Sequence, residues 1–331
     1  MTKLQLSLIM AANGRTRPIL NGATTAEGID LTCTVGHPSE IFWRQLHFAE
    51  FDVSEMSMSS LLMLAARGKC DWVALPVFTT RHFFHTWAWC RTDAGISSAA
   101  DLRGKRVGVP EYQQTAAVWS RGVLKHEFGV DAKDVEWFME RTPELSHGGA
   151  TGFEPPAGVR VNRIAAESSI GTMLLNGDLD ATLMYINDVN VVDRSRVSIE
   201  GRPEVRQLFE NPQLEGRRYF QKTGIFPINH TLVVRRSILE QHPWVALNLV
   251  NAFERAKEAG AAAARELIAT QIGLGRLPEQ ATVALAADPY PYGIKANRTV
   301  LETLLGHMYE QGLIARRPGL DEVFAPSTLQ L

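Results

Sequence analysis

A few histidine and glutamate residues stand where they could transfer a proton to or from a bound molecule. His230 is the first candidate, because Pro227 and Thr231 frame it where the chain should cross back between two halves of the protein. Histidine suits this role since it titrates near neutral pH. The next candidates are His37, Glu111 and His82. For each histidine, an ordinary, partly buried residue is the alternative, and both interpretations stay open.

A second set of residues could bind an anion. Arginine pairs with a carboxylate through two parallel hydrogen bonds, which lysine cannot do. The candidates lie in or beside motifs at predicted strand ends, where α/β proteins place ligands, and they are Arg15, Arg17, Arg81 and Arg121. A salt bridge at the surface or between two lobes is the alternative interpretation for each.

Predicted junctions between a strand and a helix would add hydroxyl and amide groups to this anion site. The first junction follows residues 52–56, and the second follows Pro110. The first turn of a helix has amides without partners and attracts negative charge. Helix capping is the alternative role for serines at such positions. The binding candidates at the junctions are Ser57, Ser59, Tyr112, Gln113 and Thr115, with Asn187 after another predicted strand.

The sequence predicts neither a metal site nor a disulfide framework. His82 and His85 fall in one predicted strand, where they would point to opposite faces. Cys33, Cys70 and Cys90 lie far apart and form no CxxC pair. We therefore expect no metal and a reducing compartment, while a metal site assembled from residues distant in the sequence stays open.

Length and composition predict a globular protein of two lobes with a cleft between them. The chain has 331 residues, 45% hydrophobic and 21% charged. A net charge of −2 without a basic patch disfavours nucleic acid and anionic membranes as partners. The short apolar run over 4–11 lacks the features of a signal peptide, and no run is long enough to span a membrane, so we expect a cytoplasmic protein.

The elements that must position these residues follow from hydrophobic patterning. Alternating and buried runs predict strands over 4–11, 29–35, 72–77, 82–90, 181–186 and 231–235, and another within 101–110. Helical spacing predicts helices over 38–50, 113–127 and 169–176, and a mostly helical region from Pro243 onward. We expect Ser39 to cap the first helix.

The sequence predicts two lobes, the first of which is formed by two separate segments of the chain. Lobe I comprises residues 1–90 and 232–331, lobe II comprises 103–231, and the crossovers lie at 91–102 and about 228–232. The Gly- and Pro-rich segment 147–158 is predicted to be a surface loop. The tryptophans predicted to lie in the core are Trp43, Trp119 and Trp137.

Several strings of residues resemble known proteins. The strings DLRGKRVGVP (101–110) and LLNGDLDA (174–181) are similar to the second lobe of type II solute-binding proteins. Five others resemble the 4,5-dihydroxyphthalate decarboxylase family and together span most of the chain. They are EFDVSEMS (50–57), VGVPEYQ (107–113), TAAVWSRG (115–122), TGIFPINHT (223–231) and YGIKANR (292–298).

The resemblance implies an α/β, two-lobed type II periplasmic-binding-protein-like fold with a ligand cleft between the lobes. It also implies a decarboxylase in aromatic-compound catabolism and phthalate degradation, which converts 4,5-dihydroxyphthalate to protocatechuate and CO2 by ring protonation, with no organic cofactor. The expected partner is a small aromatic carboxylate, and the oligomeric state, a homo-oligomer included, stays open. A solute-binding protein of a transporter is the alternative, since it shares this fold.

The chain departs from the pattern of that family at four places near the expected site. Asn13-Gly14 replaces an aromatic-acidic pair, and Phe84 replaces an arginine. Gln114 and Asn229 each stand in place of a methionine. These changes are expected to influence which aromatic acid fits.

Overall fold

The computed structural model describes residues 2–285 and 287–331, and its strands form two sheets. The first sheet has five strands in the order β2-β1-β3-β11-β4. These are β1 (Leu4–Met10), β2 (Ile29–Val35), β3 (Val53–Ser57), β4 (Trp72–Arg81) and β11 (Ile228–Arg235). β11 is antiparallel to both neighbours, whereas β1 is parallel to β2 and β3. The carboxyl ends of β1 to β4 therefore meet the start of β11 at one edge.

The second sheet has six strands in the order β10-β5-β9-β6-β7-β8. These are β5 (Trp89–Arg91), β6 (Arg106–Val109), β7 (Glu136–Met139), β8 (Arg160–Arg163), β9 (Ala181–Thr182) and β10 (Val205–Gln207). The four strands β6 to β9 run parallel to one another, so their carboxyl ends also share an edge. The predicted α/β class is thereby confirmed.

Helices connect and cover these strands. They are α1 (Arg17–Leu20), α2 (Pro38–Phe48), α3 (Met58–Ala66), α4 (Thr115–Phe128), α5 (Gly148–Thr151), α6 (Ile170–Asn176), α7 (Pro212–Thr223), α8 (Arg236–Gln241), α9 (Trp244–Gly273), α10 (Arg298–Glu310) and α11 (Leu320–Val323). Short 3-10 turns occupy Phe84–Trp87, Ala99–Leu102, Ala132–Asp134, Glu279–Leu285, Lys295–Asn297 and Pro326–Thr328. In residues 2–285 and 287–331, no helix has both the length and the apolar character of a membrane span.

Local sequence signals explain where the helices near the cleft begin and end. The Ser169 side chain accepts a hydrogen bond from the Thr172 amide and so caps α6, which ends at Gly177. α4 ends at Gly129, whose positive φ of 69° suits glycine. α2 begins with Pro38 and is capped by His37, which accepts from the Ser39 amide, so Ser39 is not the cap that was predicted.

The hydrophobic core joins the two sheets. Its largest cluster contains Phe78 of the first sheet, Trp137 of the second and Trp119 of α4, all fully buried. The core prediction is thus confirmed for Trp119 and Trp137. It is wrong for Trp43, which is only half-buried and donates through its indole N–H to the Glu144 carbonyl.

Three predicted elements differ from the structure. The strand predicted over 181–186 is much shorter, because β9 comprises only Ala181–Thr182. β4 continues through Pro76 to Arg81, and the following aromatic residues form a 3-10 turn at Phe84–Trp87 before the short β5, so 82–90 is not one strand. The segment 147–158 is not simply a surface loop, because His147, the N-cap of α5, and Thr151, its last residue, are both buried. The glycine content of this segment predicted its turns correctly, but it did not predict that the polar residues beside them are buried.

The predicted lobe boundaries remain predictions, but the strands show which sheet each junction joins. β11 lies entirely in the first sheet, so residues 228–231 belong with it. β5 pairs with β9 and β10 in the second sheet. α4 contacts α3, α10 and β11, which makes it the main helix between the two sheets.

Candidate active site

A cavity of about 220 Å³ lies where the carboxyl edges of the two sheets face each other. Clefts at strand ends are the usual ligand sites of open α/β sheets. The first-sheet side contributes His37, Ser39, Phe42, Ser57, Thr80, His82, Phe84, Trp87, Asn229 and His230. The second-sheet side contributes Gln114, Thr115, Ala116, Arg141, His147, Met184, Tyr185, Ile186 and Asp188.

His230 is held by a buried carboxylate that the sequence analysis did not single out. Its Nδ1 lies 2.7 Å from Oε1 of Glu55, on the neighbouring strand β3. A carboxylate can only accept, so Nδ1 carries a proton and Nε2 is the atom left for exchange with a ligand. The edge of the Phe42 ring packs on the imidazole with 4.7 Å between ring centroids. The imidazole is therefore fixed in both tautomer and orientation.

Glu55 stays ionised although it is completely buried. Burial alone would raise its pKa, but the hydrogen bond and charge of His230, with further bonds from the Ala11 amide and Thr79, lower the pKa below its ordinary value. The Ala11 amide is 2.9 Å from Oε2, and the hydroxyls of Thr79 and Thr80 are 2.7 and 3.0 Å from Oε1. Glu55 therefore places a buried negative charge 2.7 Å from Nδ1 of His230.

Asn229 contacts the other nitrogen of the same imidazole. Its Nδ2 lies 2.8 Å from Nε2 of His230, so the amide donates to the neutral ring. The Oδ1 of Asn229 is buried and has no hydrogen-bond partner in the described residues. Rotation of the amide would present this oxygen to a protonated Nε2. The side chain can thus serve both charge states of His230.

Replacing Glu55 by glutamine should lower kcat of any reaction in which His230 donates the proton. Glutamine keeps an oxygen for Nδ1, but the charge-assisted hydrogen bond, worth about 1.5–3 kcal/mol, becomes a neutral one of about 0.5–1.5 kcal/mol. We expect kcat to fall by about tenfold while KM changes little. Glu55→Asp, which keeps the charge, should retain more of kcat, and an unchanged kcat in Glu55→Gln would show that Glu55 is only structural.

Arg141 is the one arginine among the described residues that lines the cavity. It is buried, its Nε lies 2.8 Å from Asp193, and Nη2 donates to Ser39 at 2.7 Å. Glu111 is 3.7 Å from Nη1. Nη1 also lies 3.3 Å from Nε2 of His147. A guanidinium has five N–H donors, and three of them have these protein partners, so at most two are left for a bound anion.

His147 completes this wall of the cavity and is neutral. Burial is the main cause that lowers its pKa to about 4, with Arg141 opposing protonation and Glu111 favouring it. Its backbone amide donates to Oε1 of Glu111 at 2.8 Å, and Gln113 donates to the other oxygen at 2.8 Å. Glu111 therefore lies behind the cavity wall, where it holds His147 and Arg141 in place.

The low pKa of His147 predicts that the protein loses stability on acidification at pH values well above those at which carboxylates titrate. Between pH 6.5 and about 4 the unfolded chain takes up a proton at this histidine while the folded chain does not, so the free energy of unfolding should decrease as pH falls through that window. His307, with a pKa of about 4, acts with the same sign. Urea titrations at several pH values measure the free energy of unfolding, which should depend less steeply on pH in His147→Gln than in the wild type. His47→Gln, at an exposed position, should show the pH dependence of the wild type. Equal pH dependence in all three proteins would refute the assignment.

Hydroxyl groups join the two sheets at the floor of the cavity. Oγ of Ser57 lies 2.8 Å from Oγ1 of Thr115, which also accepts from the Ser59 amide at 2.9 Å. Ser59 itself donates to the Gln113 carbonyl at 2.7 Å. Thus Ser57 and Thr115 face the cavity at the N-terminus of α4, while Ser59 and Gln113 form the link behind them.

The other predicted arginines have partners outside this cavity. Arg81 is buried and donates to the carbonyls of Phe226 and Pro291 and to Asn297, and burial lowers its pKa to about 10. Arg121 is buried over the Tyr112 ring, 3.7 Å from its centroid. These arginines fill structural positions rather than the cavity wall.

Three more predicted binding residues also lie off the cavity. Arg17 and Asn187 are exposed and do not line it. Arg15 donates to the Thr79 carbonyl at 2.6 Å and stacks on Tyr290. Burial is the main cause that lowers the pKa of His82, and the charges of His230 and Arg15 lower it further.

The histidine candidates separate clearly. His37, His82 and His230 line the cavity together, whereas His85 turns away and lies 3.3 Å from Glu215. The spacing of His82 and His85 therefore makes no shared site. Three important residues were missed, namely Glu55, Arg141 and His147. Arg141 could have been found by the strand-end rule, because it follows β7 as Glu111 follows β6.

Comparisons with known proteins show the family and the fold of the chain. The chain is 35% identical to 4,5-dihydroxyphthalate decarboxylase of Comamonas testosteroni, with 100% of this chain and 99% of that protein aligned. A protein of the same name from Pseudomonas putida is 37% identical over 64% of this chain and 80% of its own length. The crystal structure of the periplasmic aliphatic sulphonate-binding protein SsuA from Escherichia coli matches all of both chains with a TM-score of 0.55 at 12% identity, which shows the fold. No family model matches the chain.

Proposed function

Because this chain belongs to the 4,5-dihydroxyphthalate decarboxylase family of carboxy-lyases, we propose that it decarboxylates a dihydroxylated aromatic dicarboxylate in the cavity between its sheets. The leading reaction is 4,5-dihydroxyphthalate to protocatechuate and CO2. The observation that carries the proposal is the Glu55–His230 pair, which faces the same cavity as the buried cation Arg141. One group supplies a proton, and the other binds a carboxylate.

Substrate binding uses the second-sheet wall. The carboxylate that is retained pairs with the free N–H groups of Arg141 and with the amides at the N-terminus of α4, beside Gln114 and Thr115. Phe42 and Met184 offer apolar surface to the aromatic ring. A volume of about 220 Å³ suits a single-ring acid rather than a larger substrate.

Proton transfer to the ring starts the reaction. In 4,5-dihydroxyphthalate each carbon that bears a carboxylate is para to a hydroxyl, which pushes electrons towards it. Nε2 of protonated His230 donates its proton to that carbon, while Glu55 stabilises the imidazolium beforehand. The bond to the carboxylate then breaks, its electron pair returns to the ring, and CO2 leaves. The net reaction consumes one proton, which returns His230 to its starting state.

The apolar part of the cavity assists the departure of CO2. A carboxylate that loses hydration against Phe42 and Phe84 is destabilised relative to neutral CO2. His37 and His82, at the same cavity, are the candidates that take or polarise the phenolic proton. With these roles, the proposal includes the apolar residues and the two other histidines of the cavity.

Three of the four departures from the family pattern line the cavity, namely Phe84, Gln114 and Asn229. They replace a cation and two thioethers with an aromatic ring and two amides. We propose that they adjust which dihydroxylated acid is preferred, so the substrate survey must include isomers and monocarboxylates. The cytoplasmic location and a role in phthalate catabolism belong to this proposal as well.

The proposal is tested by incubating purified, chelator-treated protein with 4,5-dihydroxyphthalate and related acids while CO2 release is followed. We expect turnover with at least one dihydroxylated aromatic dicarboxylate, and a product that carries one carboxylate fewer. Tight binding of these acids without CO2 release would instead favour a solute-binding protein, the class to which the fold is equally suited.

A further inference from the structure

A second group of potential ligands lies on the side of the molecule formed by α4 and α10. His126 of α4 and His307 and Glu310 of α10 have side-chain ligand atoms that all lie within 4.8 Å of one another. His307 and Glu310 are three residues apart, so they share one face of α10. The group borders a surface cavity of about 610 Å³, separate from the candidate active site.

The three side chains are already arranged around a common point. Nε2 of His126 lies 2.8 Å from Oε2 of Glu310. The rings of His126 and His307 stack, with 5.3 Å between centroids and an angle of 24°. Two imidazoles and a carboxylate are the donor set that Zn²⁺ and related transition metals prefer.

His307 is the buried member of the group, and the packing around it fixes its position. Only 8% of this residue is exposed. Its place against α4 depends on Gly122, because a Cβ there would lie 2.5 Å from the His307 ring. The Trp119 ring packs on the imidazole in a T-shaped arrangement, with 5.4 Å between centroids. The fold therefore holds this imidazole beside two exposed side chains that can also bind a metal.

We propose that His126, His307 and Glu310 bind one divalent transition-metal ion of the zinc class. The ion accepts the Nε2 lone pair of neutral His126, whose single proton then lies on Nδ1, and it takes the place of the Nε2–H group beside the Glu310 carboxylate. Because His126 and Glu310 are exposed, water completes the fourth position. The ion links α4, whose N-terminus lines the candidate active site, to α10. This departs from the expectation of no metal drawn from sequence spacing.

Nearby charges set the conditions for binding. Nζ of Lys125 lies 3.2 Å from Oε1 of Glu310 and 3.2 Å from Asp131. The metal must compete with Lys125 for Glu310. When the metal displaces the Lys125 ammonium group from Glu310, Asp131 remains its partner. Glu127, the other carboxylate at this cavity, is already paired with Arg218 and Lys222.

Titration of the chelator-treated, desalted full-length protein with Zn²⁺, followed by calorimetry, tests the proposal. We expect one equivalent to bind and the Tm to rise, because an ion that binds only the folded state stabilises it. Titration with Co²⁺ should produce a visible absorption band of a nitrogen- and oxygen-bound ion. Neither measurement depends on catalytic activity.

Variants at exposed ligands avoid the risk of misfolding. His126→Ala and Glu310→Gln should each weaken Zn²⁺ binding at least about tenfold, since even loss of a supporting group around a metal costs roughly 10- to 100-fold. His47→Ala, at an exposed histidine of α2, should bind Zn²⁺ like the wild type. Absence of binding by the wild type, or equal binding by His126→Ala, would overturn the proposal.

Discussion

Replacing His230 by glutamine should lower kcat for decarboxylation by about 10²- to 10⁴-fold, the contribution of a well-placed general acid. Glutamine retains hydrogen bonds to Glu55 and Asn229, so substrate binding should change little. The cause of the loss is specific, because no neutral amide can deliver a proton to an aromatic carbon. Steady-state kinetics of CO2 release, with KM and kcat reported separately, measure it.

The comparison that matters for this result is with the other cavity histidines. His37→Gln and His82→Gln should lose less in kcat if they only polarise the phenol, and His47→Gln, outside the cavity, should behave as the wild type. Near-normal kcat in His230→Gln would exclude this residue as the acid. A large loss confined to His37→Gln or His82→Gln would move the role to that histidine.

Replacing Arg141 by lysine should raise KM by about 10- to 100-fold, because it removes charge-assisted hydrogen bonds worth roughly 1.5–3 kcal/mol. Lysine keeps the positive charge beside Asp193 and Glu111. It cannot form the fork that binds a carboxylate through two bonds. The predicted effect is therefore on substrate affinity, which calorimetry with the bound aromatic acid measures directly.

Removing the charge altogether should have a different consequence. Arg141→Met leaves Asp193 and Glu111 buried without their cation, and breaking a buried ion pair in this way costs about 3–5 kcal/mol of stability.

Arg81→Lys is the matched control for Arg141→Lys, because Arg81 is equally buried but lies outside the cavity. If Arg81→Lys raises KM as much as Arg141→Lys, the assignment of Arg141 as the carboxylate ligand is wrong.

The charge states of Glu55 and His147 have one physical origin. Both residues are buried beside groups of opposite or competing charge, so the protein selects one charge state for each. Glu55 is kept ionised by the hydrogen bonds that it accepts, whereas His147 is kept neutral mainly by burial. An ionised carboxylate behind the acid and a neutral ring beside the arginine suit a site that donates a proton and binds an anion.

The sequence by itself determined the α/β class, the family, and the strand ends at which ligands are placed. These depend on local signals, namely alternation along strands, caps and breakers at helix ends, and strings that span most of the chain. The same signals indicated His230, His37 and His82, which the structure brings to one cavity. Strand ends can be predicted because the residues that terminate a strand lie next to it in the sequence.

Only the tertiary structure decided which partners these residues have. Glu55 meets His230 because β11 inserts between β3 and β4, although the two residues are 175 positions apart. Arg141 lines the cavity while Arg81, also at a strand end, points to carbonyls behind it. The group of His126, His307 and Glu310 likewise exists only because α4 packs on α10. Type and spacing show what a side chain can do, but long-range packing decides its neighbours, its burial and hence its charge.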